Sequence, residues 1–264
     1  MLAIALGVGL LIGITLGALG GGGSVLAVPA LIYLLGQTTH QATTASLVIV
    51  GVAAIAGLVV HARAGHVRWR AGLGFGVAGV VGSALGSLLA ARLPENWLLI
   101  GFAVLMAIAA VTMWRGSGSG EKPAPEEAPD SAGDGSEAVT RKRSWWRVVG
   151  AGSAVGLLTG LFGIGGGFLA VPGLLFALGL DMATAVGTSL AVITLNSASA
   201  LLTHLGSAAP DWGIVTPFVA TAVVGTLAGQ RLADRLSNTT LQRGFAALLV
   251  ALAAFVLVDQ LVLR

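Results

Sequence analysis

Gly17-Ala-Leu-Gly-Gly-Gly-Gly-Ser-Val-Leu-Ala-Val-Pro29 returns as Gly160-Leu-Phe-Gly-Ile-Gly-Gly-Gly-Phe-Leu-Ala-Val-Pro172, an offset of 143 residues. The offset holds without a gap through Leu31, Leu35 and Gly36, which return as Leu174, Leu178 and Gly179. Further on it pairs Ala42 with Ala185, Ser46 with Ser189, His61 with His204 and Trp69 with Trp212. It also pairs Gly82 and Gly86 with Gly225 and Gly229, Arg92 with Arg235, and Gly101-Phe102 with Gly244-Phe245. Apolar composition alone does not align His, Trp and Arg, so the chain is two copies of one unit.

The solvent of that unit is lipid. Of 264 residues, 56% are hydrophobic and 9% charged, with a mean hydropathy of +0.93; a soluble domain carries about 25% charged residues. Apolar segments run over 2–19, 25–35, 42–60, 71–91 and 97–114, and after a break over 145–162, 168–178, 185–202, 214–228 and 241–258. Eight of the ten approach the roughly 20 residues that cross ~30 Å of hydrocarbon. Segments 25–35 and 168–178 are too short, and they occupy the same place in each half. Met1-Leu-Ala-Ile-Ala has no basic n-region and its segment is part of the repeat, so it reads as mature protein rather than a signal peptide.

The expectation is therefore an all-α polytopic membrane protein of two inverted-topology repeats, each of about five helical segments: residues 1–115 and 145–264. Residues 116–144, rich in Gly, Ser, Pro and acid, read as a disordered cytoplasmic linker. Basic residues set the orientation. Arg63, Arg68 and Arg70 lie in one loop, Arg141, Lys142, Arg143 and Arg147 at the linker's end, and Arg231, Arg235 and Arg243 in another loop. The counterpart of the first loop, 204–213, has no Lys or Arg. Placing all three basic regions in the cytoplasm requires an odd number of crossings per half and puts both termini outside.

The glycine runs are the first candidate site. Gly20, Gly22 and Gly23, and Gly163, Gly165, Gly166 and Gly167, break helices in a medium where an unsatisfied amide costs several kcal/mol. Short, interrupted segments at matching positions point to a transport site. A helix starting near Ser24 or Gly167 aims free N–H groups and the positive dipole end into the break, which suits an anion. The competing role is close helix crossing. Glycines spaced by four, at Gly9, Gly13 and Gly17 and again at Gly152, Gly156 and Gly160, are packing stripes. Pro29 and Pro172 read as structural.

Ser46, Thr188, Ser189 and Asn196 are candidate neutral donors, with back-bonding to helix carbonyls as the plainer role of the hydroxyls. Ser189 is expected to matter more to an anion than Thr159. His61 and His204 end the third segment of each half, as proton-coupling groups or as interfacial histidines. Apart from Asp259, the segment interiors hold no Asp or Glu, which argues against a cation carrier. No cysteine is present, excluding thiolate metal sites and disulfides. The chain reads as no enzyme. Gly187-Thr-Ser189-Leu190 lacks the glycine an intramembrane serine protease needs after its serine, and no phosphate-binding loop exists.

The motif Gly160-x-x-Gly-x-Gly-Gly-Gly-x-x-x-Val-Pro172, its degenerate twin at 17–29, and Thr188-Ser189-Leu190 resemble the TauE/SafE family of sulfite exporters. The resemblance covers nearly the whole chain except the linker. It implies a multi-pass transporter of the bacterial inner membrane for small sulfur-containing or carboxylated anions such as sulfite, sulfoacetate and related sulfonates. By motif position, Gly20–Ser24 with Pro29 and Gly163–Gly167 with Pro172 would be the paired site loops. Gly21 replaces Ile164 and Ala45 replaces Thr188, so the half-sites are unequal. The alternatives are a passive anion channel and a membrane scaffold using the linker. Expected partners are the anion and the bilayer, with a homodimer left open; no cofactor, metal or nucleic acid is expected. A reporter fused after Arg264 should read out as external, and a cytoplasmic signal would overturn the topology.

Overall fold

The computed structural model describes residues 2–90, 92–93, 95–116, 136–162, 167–203 and 211–262. They form ten α-helices: α1 (Leu2–Leu19), α2 (Gly22–Pro29), α3 (Thr39–Arg63), α4 (Trp69–Ala90), α5 (Glu95–Gly116), α6 (Ser136–Phe162), α7 (Gly167–Leu178), α8 (Met182–Thr203), α9 (Trp212–Ala233) and α10 (Asn238–Val262). A π-helical stretch, Ala30–Leu34, prolongs α2 directly after Pro29. Pro29 has no N–H and its ring crowds the carbonyl four residues back, which loosens the helix at that point. Helix α6 begins at Ser136, inside the segment whose composition reads as linker. The all-helical membrane architecture expected from the sequence is what the chain adopts.

Among the described residues, four helices are long and apolar enough to cross a bilayer: Gln41–Arg63, Trp69–Ala90, Met182–Leu202 and Trp212–Ala233. The other four segments expected to span fall in α1, α5, α6 and α10, helices of 18, 22, 27 and 25 residues. The short elements are as short as the sequence implied. Gly22–Leu34 and Gly167–Leu178 are 13 and 12 residues, about 20 Å of helix against ~30 Å of hydrocarbon.

The repeat is written into the backbone. Gly36 and Gly179 both end their short helices at φ 65°, a conformation that only glycine adopts without strain. The next helix of each half is then capped by a side chain. The Thr38 hydroxyl accepts from Gln41 N, and the Asp181 carboxylate accepts from Thr184 N. Thr38 O and Asp181 O receive the amides of Ala42 and Ala185 at the same 2.8 Å.

Packing crosses between the halves. Helix α1 lies on α9 and α4 on α6, equivalent pairings with the halves exchanged; α3 meets α8, α5 meets α10 and α2 meets α7. The first two pairs are backbone-to-backbone contacts. Gly9, Gly13 and Gly17 face Phe218, Ala222 and Thr226, while Gly225 and Gly229 face Leu10 and Ile14. Gly152, Gly156 and Gly160 face Phe75, Gly79 and Ser83 in the same way. In both pairs the numbers rise together, so the helices are parallel. In contrast, Gly51 faces Ser197, Gly57 faces Leu190 and Gly187 faces His61, so the equivalent helices α3 and α8 run antiparallel. The packing stripes read from glycine spacing are thus helix contacts.

These directions gather the basic residues. Helix α3 ends beside the end of α9, and Gly74 near the start of α4 touches Trp145 at the start of the apolar part of α6. Arg63, Arg70, Arg147, Arg231 and Arg235 are therefore exposed at one end of the bundle. The lateral face of α4 shows Leu73, Val77, Val81, Leu85 and Leu88, a stripe at helical spacing that suits lipid.

A Cβ on Gly156 would collide with the Gly79 backbone, whereas one on Gly150 would meet open space. Gly156→Ala should therefore destabilise the protein by about 1–3 kcal/mol. Gly150→Ala should leave it unchanged or raise it by up to about 1 kcal/mol. Thermal melting in detergent separates the two.

Candidate functional site

The two halves meet through their short-helix entries. Helix α1 ends at Leu19, Gly20 takes φ 69°, and α2 starts at Gly22 with Gly21 as its N-cap. The break is therefore two residues long, and the helix begins slightly before Ser24. The amide of Gly20 closes the last turn onto Leu16 O (2.8 Å), and that of Ser24 bonds Gly21 O (3.2 Å). The first amides of α2 have no acceptor within the helix.

All of Gly20, Gly21, Gly22 and Gly23 are buried, each against a different neighbour. A Cβ on Gly20 would lie 2.6 Å from Ser189 Oγ. One on Gly21 would strike the carbonyl of Gly167, one on Gly22 would meet Leu248, and one on Gly23 would meet Ile12 and Leu16. Across the centre, a Cβ on Gly167 would lie 2.7 Å from Ser24 Oγ. Ser24 and Gly167 are the same position in the two repeats, so the halves touch at equivalent residues. The structure thus brings Gly20, Ser24, Gly167 and Ser189 into one place. Gly163, Gly165, Gly166 and His204 lie outside the described residues.

Hydroxyls divide by what they already bond. Ser24 donates to Gly21 O (2.7 Å), Ser46 to Thr43 O (2.8 Å) and Ser189 to Val186 O (2.8 Å). In each the plainer role, back-bonding, is the one seen. Thr188 faces elsewhere: its hydroxyl accepts from the Arg68 amide (3.1 Å) and its methyl abuts Gly72, pinning the α3–α4 turn to α8. Pro172 is buried in the first half of α7 and Pro29 ends α2, both in structural positions.

Two side chains remain unspent. Asn196 Oδ1 and Thr159 Oγ1 are buried without a hydrogen-bond partner among the described residues. Asn196 follows Ser189 and Ile193 at helical spacing on α8, and those two face Gly20 and Gly167. Thr159 holds the place that Leu16 holds in the first half, where Leu16 packs on Gly23. The counterpart of Asn196 is Ala53. Thr159 and Asn196 thus stand at positions that are apolar in the first half, while Gln37 and His61 of the first half also carry buried atoms without a partner. The Ser189 hydroxyl is bonded within α8, whereas Thr159 Oγ1 is not bonded. Thr159 drew little notice in the sequence because a lone threonine in an apolar helix usually bonds its own backbone.

A second polar group was only half legible. His61 is 4% exposed, and beside it lies Gln230 of α9, 3% exposed. Gln230 went unremarked, being one residue from the arginine that marked the segment's end. A separate cleft of about 190 Å³ is lined by Met113, Leu175, Phe176, Gly179, Leu180 and Gln242 and holds none of the candidate site residues.

An apolar helical bundle with paired broken helices meeting at its centre is the form of a membrane transporter. The chain belongs to the TauE/SafE sulfite exporter family: the family described as "Sulfite exporter TauE/SafE" matches residues 5–256. It is similar to a "Probable membrane transporter protein" of Xylella fastidiosa (strain Temecula1), 36% identical over 97% of this chain and 95% of that protein. The "Probable membrane transporter protein YunE" of Bacillus subtilis is 26% identical over 88% of this chain and 89% of its own. A "Probable membrane transporter protein" of Methanocaldococcus jannaschii is 26% identical over 78% of this chain and 73% of its own. No solved structure matches the chain.

Gly20→Ala should lower the melting temperature sharply, because it adds both a left-handed strain and a collision with Ser189. Adding Ser189→Ala should restore only the collision part. Full restoration in a melting assay would mean that the backbone angle costs nothing.

Proposed function

We propose that the protein is an alternating-access transporter of small sulfur-containing oxyanions, sulfite and sulfonates foremost, in the plasma membrane of a bacterium. The carrying observation is the pair of buried, unpartnered polar groups, Thr159 Oγ1 and Asn196 Oδ1, flanking the second-half entry to the short helices. A buried polar atom left unbonded costs about 1–3 kcal/mol, and a ligand that fills it recovers that cost. The threonine hydroxyl can donate, and a flipped asparagine amide can donate too. With the amide-lined N-terminus of α7, they can supply several donors to an anion.

The arrangement of the halves supports the same reading. Equivalent helices α3 and α8 are antiparallel, and the helix pairings repeat when the halves are exchanged. That is what two inverted repeats require, and inverted repeats place a site at their interface near the bilayer midplane. The basic end, set in the cytoplasm, gives the orientation. An outward-moving anion is then driven by the inside-negative potential, at ~2.3 kcal/mol per charge per 100 mV.

Proteoliposomes loaded with unlabelled sulfite or sulfoacetate should take up the labelled anion by counterflow, with saturation. Large conductance without trans stimulation would make the protein a channel; no flux of any oxyanion would overturn the reading. Thr159→Val should weaken the half-saturation concentration about five- to ten-fold, the value of one hydrogen bond. Ser189→Ala, whose hydroxyl is already bonded within α8, should change it less.

A further inference from the structure

The only buried histidine among the described residues has a surrounding that is short of hydrogens. His61 Nδ1 and Gln230 Oε1 are both enclosed and without a hydrogen-bond partner. Gln230 lies beside the imidazole, and the Gly57 carbonyl, one turn back on α3, faces it as well. A neutral imidazole offers one N–H; an imidazolium offers two. The Gly57 carbonyl and the Gln230 side chain can each accept from a ring protonated on both nitrogens.

Charge around the ring comes from two sides. His66, in the turn after α3, stacks edge-on at a centroid distance of 6.3 Å and is half-buried. Asp234, at the exposed end of α9, acts on the ring from the other side. From α8, Gly187, which has nothing to titrate, lies against the ring. Arg63 and Arg231 lie on exposed faces of α3 and α9. A proton arriving from the basic end thus meets a half-exposed histidine in ring contact with the buried one.

The ring is also close to the anion path. Gly57 packs on Thr226 and Leu190, and Thr226 in turn touches Gly17, just before the Gly20 turn. His61 and Gln230 stand one helical turn further toward the basic end. The counterparts of His61 and Gln230 are His204, which lies outside the described residues, and Ser87.

We propose that His61 is a proton-binding site of the transport cycle, loaded from the basic end past His66, with Gln230 and the Gly57 carbonyl as its acceptors. A positive ring beside the turns favours anion binding, and an anion favours the positive ring. By that reciprocity proton and anion are carried together, in symport. This rests on the anion-transport reading above.

The test has a part independent of substrate. The full-length protein, with its four histidines labelled with ¹⁵N, is placed in lipid nanodiscs and followed by NMR from about pH 5 to 9. The His61 resonance, identified by its loss in His61→Gln, should titrate, and Asp234→Asn should move its midpoint by half a unit or more. A His61 resonance that stays fixed while His66 titrates overturns the proposal. In proteoliposomes with the membrane potential clamped at zero, sulfoacetate, a dianion over that range, should accumulate about ten-fold on the alkaline side per unit of pH gradient, one proton per anion. His61→Gln should still equilibrate the anion but lose that accumulation. A purely structural role would slow the flux and leave the ten-fold ratio, which counts against coupling. Wild-type protein that moves no sulfoacetate counts against the anion reading, and the NMR titration then decides His61 alone.

Discussion

In hydrocarbon, a helix break survives only where other protein holds it. The turn at Gly20–Gly21 is held by the other half of the molecule: by Ser189 of α8 and by the Gly167 backbone at the start of α7. Side chains would keep these backbones apart, so the contact requires glycine on both sides, and the glycine runs follow from it. Everything else in the centre depends on this contact. It sets where α2 and α7 begin, and it places their first amides near one another. It also brings Ser24 against its own counterpart, Gly167.

Symmetry builds the frame and its loss makes the site. The left-handed glycines, the helix caps and the cross-half helix pairs come in matched sets. The polar residues do not. Thr159 and Asn196 stand opposite Leu16 and Ala53, and Gln230 stands opposite Ser87. One half therefore presents unsatisfied atoms at the turn, and one end of the bundle holds a buried histidine with acceptors. A molecule of two identical halves would treat its two membrane faces alike.

Much of the architecture was legible because it rests on local chemistry. Repeated Gly-Val-Pro, apolar length and the position of arginines need no tertiary knowledge, and the short helices fall where the glycines placed them. Helix ends were less legible. The start of α6 at Ser136 lies in a segment with little to bury, where composition speaks for disorder. The site was legible in outline only. Ser46 and Ser189 looked like donors, but a hydroxyl in a helix has its own carbonyl within reach, and both use it. Thr188 looked like part of the same cluster, yet one residue's step around α8 turns it toward α4. Which hydroxyl is left over depends on neighbours from three other helices, which a linear pattern does not carry.

The interlock of α1 with α9 and of α4 with α6 bears on how the molecule can move. Each pair joins one helix from each half through bare backbone, with glycine after glycine seated on a neighbouring carbonyl. Such surfaces slide poorly, since any shift drives Cα atoms into oxygens. In the alternating-access cycle proposed above, the rigid bodies would be the mixed pairs, each drawn from both repeats, and the compliant parts the short helices suspended between them. A conformational change that parted the two repeats from each other would have to strip both seams at once.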